Sequence, residues 1–335
     1  MSELATPRVL VVLLNYRTAE MTLRAAQAAL AAMPDAGAEL VIVDNASGDG
    51  SEVVLGQAIK ARGWDENGRV RLIVSPVNGG FGAGNNIGFA AAMSDGQPPD
   101  YYYVLNSDAF PEPDCLGRLI RHLEAHENAG IVGAHVRGED DVTHTVAFRF
   151  PSIAGEFEAA ARTGPITRLL RRSVVAMPVP EHVQQVDWVV GCSVLLRAEM
   201  LTSIGTFDET FFLYFEETDL CRRAKRAGWD CWYLPEARVV HIGSVSTGMK
   251  TWARTPQFWF ESRRHYFCKN HGRAYAAGAW LARLAGGAIH LTRCALSGAQ
   301  HQDPPGFYRD LLRFGLNLPR RADPVQPLAK PESSL

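Results

Sequence analysis

Three acids stand together where an aromatic run meets a helical pattern, in Phe211-Phe212-Leu213-Tyr214-Phe215-Glu216-Glu217-Thr218-Asp219-Leu220-Cys221-Arg222-Arg223. Acids in a first helical turn complement the positive end of the helix dipole, so capping explains one of them. Three beside so much aromatic surface exceed what capping needs. The dipole would also keep a carboxylate ionised, and a desolvated, ionised carboxylate is what a general base for a hydroxyl must be. Glu217 is the expected base.

A second group has the chemistry of cation binding. Asn106-Ser107-Asp108 follows the apolar run Tyr101 to Leu105. Such a triplet can be a capped turn. It can also present Asp108 to Mg²⁺ or Mn²⁺, ions that favour carboxylate oxygens and keep open positions for phosphate, with the neutral Asn106 aligning a metal-bound water. His241, at the end of Arg238-Val239-Val240, reads alone as an ordinary strand-end histidine. It gains meaning if its strand neighbours Asp108, because both could then reach one ion.

Two further segments read as nucleotide contacts. Asp44 and Asn45 end an apolar strand and begin Asp44-Asn45-Ala46-Ser47-Gly48-Asp49-Gly50-Ser51. This is ordinary turn chemistry, but a strand-tip carboxylate can also accept the ring N–H of a pyrimidine. The run Asn78-Gly79-Gly80-Phe81-Gly82-Ala83-Gly84-Asn85-Asn86 follows a strand and opens a helix, so its backbone N–H groups could approach a diphosphate. It does not continue as GxGxxG, and Asp100 directly precedes another strand, which disfavours a nicotinamide or flavin enzyme.

The elements that must position these groups follow from periodicity. Short β-rich runs at Val9 to Leu14, Leu40 to Val43, Arg71 to Val74, Tyr101 to Leu105 and Ile131 to Ala134 alternate with helical patterns near Met21 to Ala32, Glu52 to Ala61, Asn86 to Met93 and Leu116 to His126. That alternation predicts a parallel sheet, with Asn15, Asp44, Asn78 and Asn106 at carboxyl ends where ligands gather. From Gly138 to Gln185 the rhythm breaks into loops and short helices. Pattern returns with a strand at Val186 to Leu196, a helix from Ala198, a helix near Thr218 to Ala227 and a strand at Cys231 to Leu234; beyond Thr255 the chain reads as helical.

Composition sets the outer bounds. The 335 residues are 47% apolar and 21% charged, enough for a substantial core, and 34 basic against 36 acidic side chains give a net charge of −2. Nucleic-acid binding lacks the basic excess it needs. Six cysteines form no CxxC pair and read as reduced cytosolic thiols. Neither Val9 to Leu14 nor Ala274 to Thr292, interrupted by Arg283 and His290, is long and apolar enough to span a bilayer.

In their order, Asn15-Tyr16-Arg17, Asp44-Asn45-Ala46-Ser47, the Asn78 glycine loop, Asn106-Ser107-Asp108, Val190-Gly191-Cys192, the Phe212 to Arg222 run and His241 resemble family-two glycosyltransferases over roughly Val9 to His271. The likeness is greatest to the bacterial rhamnosyltransferase-like branch. The resemblance implies an α/β GT-A fold, Rossmann-like, with a mostly parallel central sheet flanked by helices and a helical C-terminal extension. It implies a dTDP- or UDP-sugar donor, a divalent cation and an inverting displacement onto a hydroxyl of a glycan or lipid-linked glycan. Carried onto this chain, Glu217 is the base, Asp108 and His241 hold the metal, and Asn15, Arg17, Asp44, Asn45, Asn78, Gly80, Gly82, Asn85 and Asn106 surround the donor. Two departures stand out: the family's metal motif often carries a second acid or Asn-Pro-Asp, and its usual base is Asp.

The expected organisation is a catalytic domain over 1–250, with a nucleotide-sugar half at 1–136 and an acceptor half at 137–250, then a helical extension at 251–318 and a tail at 319–335. A cytoplasmic enzyme follows. Trp280, Leu281, Leu284, Ile289 and Leu291, interleaved with Arg273, Arg283 and Arg293, suggest peripheral membrane contact or an ordinary core-covering helix. Two other functions remain open. A nucleotidyltransferase would need cations for a triphosphate near the first loop, where only Arg8, Arg17 and Arg24 stand; an inactive sugar-nucleotide-binding module would not turn over a donor.

Overall fold

The computed structural model describes residues 6–243, 253–298, 300 and 303–315. Strand β1 (Val9–Asn15) is apolar and buried on both faces, as a central strand covered on both sides must be. It pairs in parallel with β2 (Ala38–Asp44) and β4 (Tyr101–Asn106), and β2 pairs in parallel with β3 (Val70–Val74). Helices α1 (Ala19–Ala32), α2 (Ser51–Ala61) and α3 (Gly80–Ala90) make the crossovers. Helix α3 starts at Gly80, earlier than periodicity suggests, so the glycine run lies inside its first turns. A Cβ on Gly84 would fall 2.4 Å from Leu14 Cδ1, and one on Gly88 2.3 Å from Val12 Cγ1. Two of these glycines thus let α3 sit directly on β1.

The second half of the sheet is mixed. After β5 (Ala109–Pro111), α4 (Cys115–Ala125), β6 (Ala129–Arg137) and the short β7 (Ala147–Phe148) come α5 (Ile153–Ala161) and α6 (Gly164–Leu169). The expected strand from Val186 to Leu196 divides into β8 (Gln184–Val186), β9 (Trp188–Val189) and β10 (Ser193–Arg197), followed by α7 (Ala198–Ile204). Asp187 makes the first break: its carboxylate accepts from Phe150 N and Lys225 Nζ instead of extending the strand. Strand β10 inserts antiparallel between β4 and β6.

Helix α8 (Glu216–Arg226) leads into β11 (Asp230–His241), which joins the two runs read as separate strands. The register shifts between Leu234 and Arg238, around Pro235, which cannot donate to a ladder. Strand β11 runs parallel to β6 and antiparallel to β5 and β8, giving the order β3-β2-β1-β4-β10-β6-β11-β5.

The C-terminal helices are α9 (Gln257–His271), α10 (Arg273–Ser297) and α11 (Phe307–Gly315). The irregular middle segment does not simply cover the sheet: α5 packs along α10, where a Cβ on Gly286 would lie 2.4 Å from Phe157 O. Glu156 on α5 binds Arg263 of α9 at 2.7 Å and Arg283 of α10 at 3.0 Å, with both arginines largely withdrawn from water. Arg283 and Trp280, read above as candidate membrane contacts, face inward, and Trp280 Nε1 donates to Leu311 O. Among the described residues no helix is long and apolar enough to cross a membrane. The expected tail from Pro319 lies outside the described residues.

Candidate active site

Parallel register sets Asn15 beside Asp44, and Leu14 beside Asn106, at one end of the sheet. Asn15 is fully buried: its amide donates to Asp44 Oδ1 at 2.6 Å, and its carbonyl accepts from Thr22 Oγ1. Its side chain is used internally, so Asn15 orients Asp44. Asp44 Oδ1 also accepts from Ser47 Oγ at 2.5 Å, while Oδ2 takes one bond from Ser47 N and keeps lone-pair capacity for a donor at this edge. Arg17, exposed and at φ 57°, donates through N and Nε to Ser47 Oγ and O. The strand-tip residues thus form one rigid unit around Ser47.

The glycine run docks onto the aromatic loop. Gly80, at φ +89°, could not carry a Cβ, which would lie 1.9 Å from Phe212 O; that carbonyl accepts the Phe81 N–H at 2.9 Å. Gly80 N donates to Asn78 Oδ1, and Asn45 Nδ2 binds both Asn78 Oδ1 and Gly80 O. The first N–H groups of α3, expected to meet a diphosphate, are therefore occupied by the protein. Gly82 abuts Phe207. Asn85 is buried and its amide donates to Phe81 O, while Asn45 Oδ1 and Asn85 Oδ1 have no partner. Asn86, not singled out above, ties α3 to the aromatic loop through Phe207 N, Phe207 O and Glu209.

Asp108 and His241 do meet, through the short strand β5, which the periodicity of the sequence does not mark. Strand β5 pairs antiparallel with β11, matching His241 to Ala109, and His241 Nε2 lies 3.1 Å from Asp108 Oδ1. Burial opposes a charge on His241, but the neighbouring Cys192 and Asp108 prevail and raise it to about 10. A proton thus sits between the two side chains, where a cation would displace it. Carboxylate oxygen and imidazole nitrogen fit a divalent transition ion such as Mn²⁺. His144 lies with its ring centroid 6.3 Å from that of His241. Among the described residues no set of three or more His, Cys, Asp or Glu side chains could hold a metal, so substrate oxygens and water would have to complete the coordination.

Tyr214 and Phe215, at φ 69° and 72°, make two consecutive left-handed residues directly before α8. Such strain in bulky residues persists only where packing enforces it. Phe215 sits against Trp259 and Tyr266 of α9, with centroids 6.2 and 5.6 Å away. The turn sends Glu216 into the interior and leaves Glu217 half-buried with Oε2 unpartnered. Burial, partly offset by the N–H groups of Glu217 and Thr218, raises Glu217 to about 7; the helix start does not keep it fully ionised at neutral pH as expected. Burial and the neighbouring Glu217 push Glu216 well above the carboxylate range, so Glu216 stays neutral.

The short turn Gly191-Cys192 links these groups. A Cβ on Gly191 would stand 3.3 Å from the Phe81 ring and 3.9 Å from Glu217 Cβ, and Cys192 O accepts the Asn106 N–H. The third acid has another task. Asp219 is fully buried and takes bonds from Arg223, Lys269 and Asn270. Asp208, at the other end of the aromatic loop, binds His265 and the same Lys269 at 2.8 Å each. Although burial disfavours its charge, the bonds from His265 and Lys269 hold Asp208 well below the usual carboxylate range. Lys269 thus bridges both ends of the loop that carries Glu217. No local sequence pattern marks Lys269, because it lies 50 residues beyond Asp219 on another helix.

The chain as a whole is similar to known glycosyltransferases. A glycosyl transferase family 2 model matches residues 9–173, and a glycosyl transferase family group 2 model matches 101–298. N-acetylglucosaminyl-diphospho-decaprenol L-rhamnosyltransferase of Mycobacterium tuberculosis is 29% identical over 220 residues, covering 62% of this chain and 68% of that protein. Rhamnosyltransferase WbbL of Escherichia coli is 28% identical over 165 residues, covering 48% and 60%. The solved mannosyltransferase PcManGT from Pyrobaculum calidifontis, in complex with GDP-Man and Mn²⁺, superposes with a TM-score of 0.58 at 16% identity, over 93% of this chain and 80% of that one. GalNAc-T7 with UDP, GalNAc and Mn²⁺ gives a TM-score of 0.55 at 13% identity, over 90% and 59%. The strand-tip unit around Ser47, the Asp108–His241 pair and the carboxylate at the head of α8 therefore sit on a GT-A fold, and the chain belongs to the family-two glycosyltransferases, in their rhamnosyltransferase-like branch.

Proposed function

We propose that this enzyme moves a sugar, rhamnose or a related hexose, from a dTDP- or UDP-linked donor onto a hydroxyl of a lipid-linked bacterial surface glycan, with inversion at the anomeric carbon. It would work in the cytoplasm, against the inner face of the membrane. The observation that carries this reading is the Gly191-Cys192 turn, which packs against Glu217 on one side and against His241, paired with Asp108, on the other. The relatives named for rhamnosyl transfer, one of them onto a decaprenol-linked sugar, support the sugar and acceptor classes.

Asp108 and His241 would hold Mn²⁺ or Mg²⁺, which when bound supplies charge neutralisation for the departing diphosphate. The buried unit around Asp44 and Ser47 would receive the nucleotide base, with Arg17, Asn45, Asn78 and Asn106 around the remainder of the donor. Glu217 Oε2 would accept the proton of the attacking hydroxyl. One base suffices, because a single displacement forms the new C–O bond as the bond to the diphosphate breaks.

The test is a panel of nucleotide sugars scored by thermal shift with and without Mn²⁺, since a ligand that binds only the folded state raises the melting temperature. A dTDP- or UDP-sugar should stabilise the native chain with Mn²⁺ and not Asp108→Ala, with His241→Ala intermediate. Equal stabilisation of Asp108→Ala would remove the metal assignment; a preference for a purine nucleotide would remove the donor class.

A further inference from the structure

The net charge of −2 conceals a strong local asymmetry: residues 159–180 hold four arginines and no acid, and residues 262–302 hold six Arg or Lys and no acid. The fold brings these segments together. Arg293 on α10 donates to Arg162 O at 2.8 Å, and a Cβ on Gly286 would lie 2.9 Å from Ala160 Cβ. Arg162, Arg263, Lys269 and Arg283 are neutralised by Asp303, Glu156, Asp208 and Asp219. Of the other six, Arg168, Arg171, Arg172, Arg273 and Arg293 are exposed, and among the described residues none of them forms a salt bridge.

The same two segments present apolar groups to water. Leu169 is 81% exposed and Leu296 84%, the highest values among the exposed large hydrophobics of the described chain. Leu281, Ile289 and Leu291 on α10 are exposed as well. Projecting leucines flanked by unpaired arginines, without a carboxylate in either segment, match a surface whose outer layer is anionic and whose interior is hydrocarbon. A second copy of the chain fits poorly, because self-pairing would set these cations against each other.

We propose that α6, the arginine turn that follows it and the outer side of α10 form the face by which the protein rests on an anionic phospholipid bilayer. The contact differs from the sequence expectation: Trp280 and Arg283 are internal, and the largest share of free charge comes from Arg168, Arg171 and Arg172, in a segment far earlier in the chain than α10. It extends the lipid-linked acceptor of the proposed function, but vesicles carrying neither donor nor acceptor test it separately, so either reading can fail alone.

The experiment is flotation of the full chain with phosphatidylcholine vesicles with or without phosphatidylglycerol. Binding should require phosphatidylglycerol and weaken with salt. Arg168→Gln/Arg171→Gln/Arg172→Gln should lower partitioning by about a hundredfold, three basic residues each contributing about fivefold. Leu169→Glu/Leu296→Glu should reduce it independently, whereas Lys60→Gln/Arg62→Gln on α2 and just after it should leave it unchanged, and all variants should keep the native melting temperature. Equal binding to pure phosphatidylcholine, no flotation of the native chain at low salt, or arginine and leucine variants that float like the native chain would each overturn the proposal. So would a native dimer that the arginine variants dissociate without altered flotation.

Discussion

A carboxyl can take a proton only while ionised, and the burial that makes Glu217 a strong base also makes it reluctant to ionise. Its pKa of about 7 lies well above the ordinary carboxylate range, so the neutral acid predominates below pH 7. Transfer, read as kcat/KM, should therefore rise with pH through about 7 and level off above it. Glu217→Gln should lose about 10² to 10⁴ in transfer and abolish that rise, while keeping metal-dependent donor binding. Glu216→Gln should retain most activity, because Glu216 is neutral already and an amide preserves its shape. If Glu216→Gln takes the loss and Glu217→Gln stays active, the base is misassigned. Asp219 is no neutral control here: Asp219→Asn weakens a buried anchor and should cost stability first.

Helix α9 has the aromatic loop as its client. Phe215, in a left-handed conformation that bulky residues resist, is held against Trp259 and Tyr266, while Lys269 joins Asp208 to Asp219. Lys269→Met should cost stability, because it strands Asp208 and Asp219, and in the chains that fold should reduce kcat more than it changes donor affinity, because it frees the loop that carries Glu217; Lys269→Arg should restore part of both. Equal losses for Met and Arg, or loss of donor binding instead of rate, would contradict a positioning role. Most α/β elements were legible in the alternation of apolar runs and helical periods. The head of α8 was legible too, because its acids follow directly on its aromatics. The partners on α9 were not, because no local pattern marks a lysine that will meet two aspartates.

At the scale of the molecule, the C-terminal helices are bound to α5 by buried charge. Glu156 on α5 receives Arg263 from α9 and Arg283 from α10, and removing one member of such a cluster strands the others. Glu156→Ala should cost about 3–5 kcal/mol in chemical denaturation. We propose that the catalytic region and the helices unfold together. Native chain and variant should each show one transition, and a chain cut after His271 should lose stability, since it strips α10 from α5. Two separated transitions would mean that the extension folds by itself.

The amino-acid sequence alone determined the fold class and singled out the candidate reactive groups, because apolar periodicity and strand-end polar residues are local properties that survive without tertiary context. Asp44, Asp108, Glu217 and His241 were all visible in that way. Tertiary structure alone decided how they meet. Pairing of β5 with β11 brought Asp108 to His241 across 133 residues, the insertion of β10 carried Gly191 and Cys192 between that pair and Glu217, and burial raised the pKa of Glu216 and Glu217. It also turned the glycines of α3 toward packing on β1 and drew Trp280 and Arg283 inward. Distances between segments remote in the chain, and the loss of water around a charge, exist only once the chain has closed on itself.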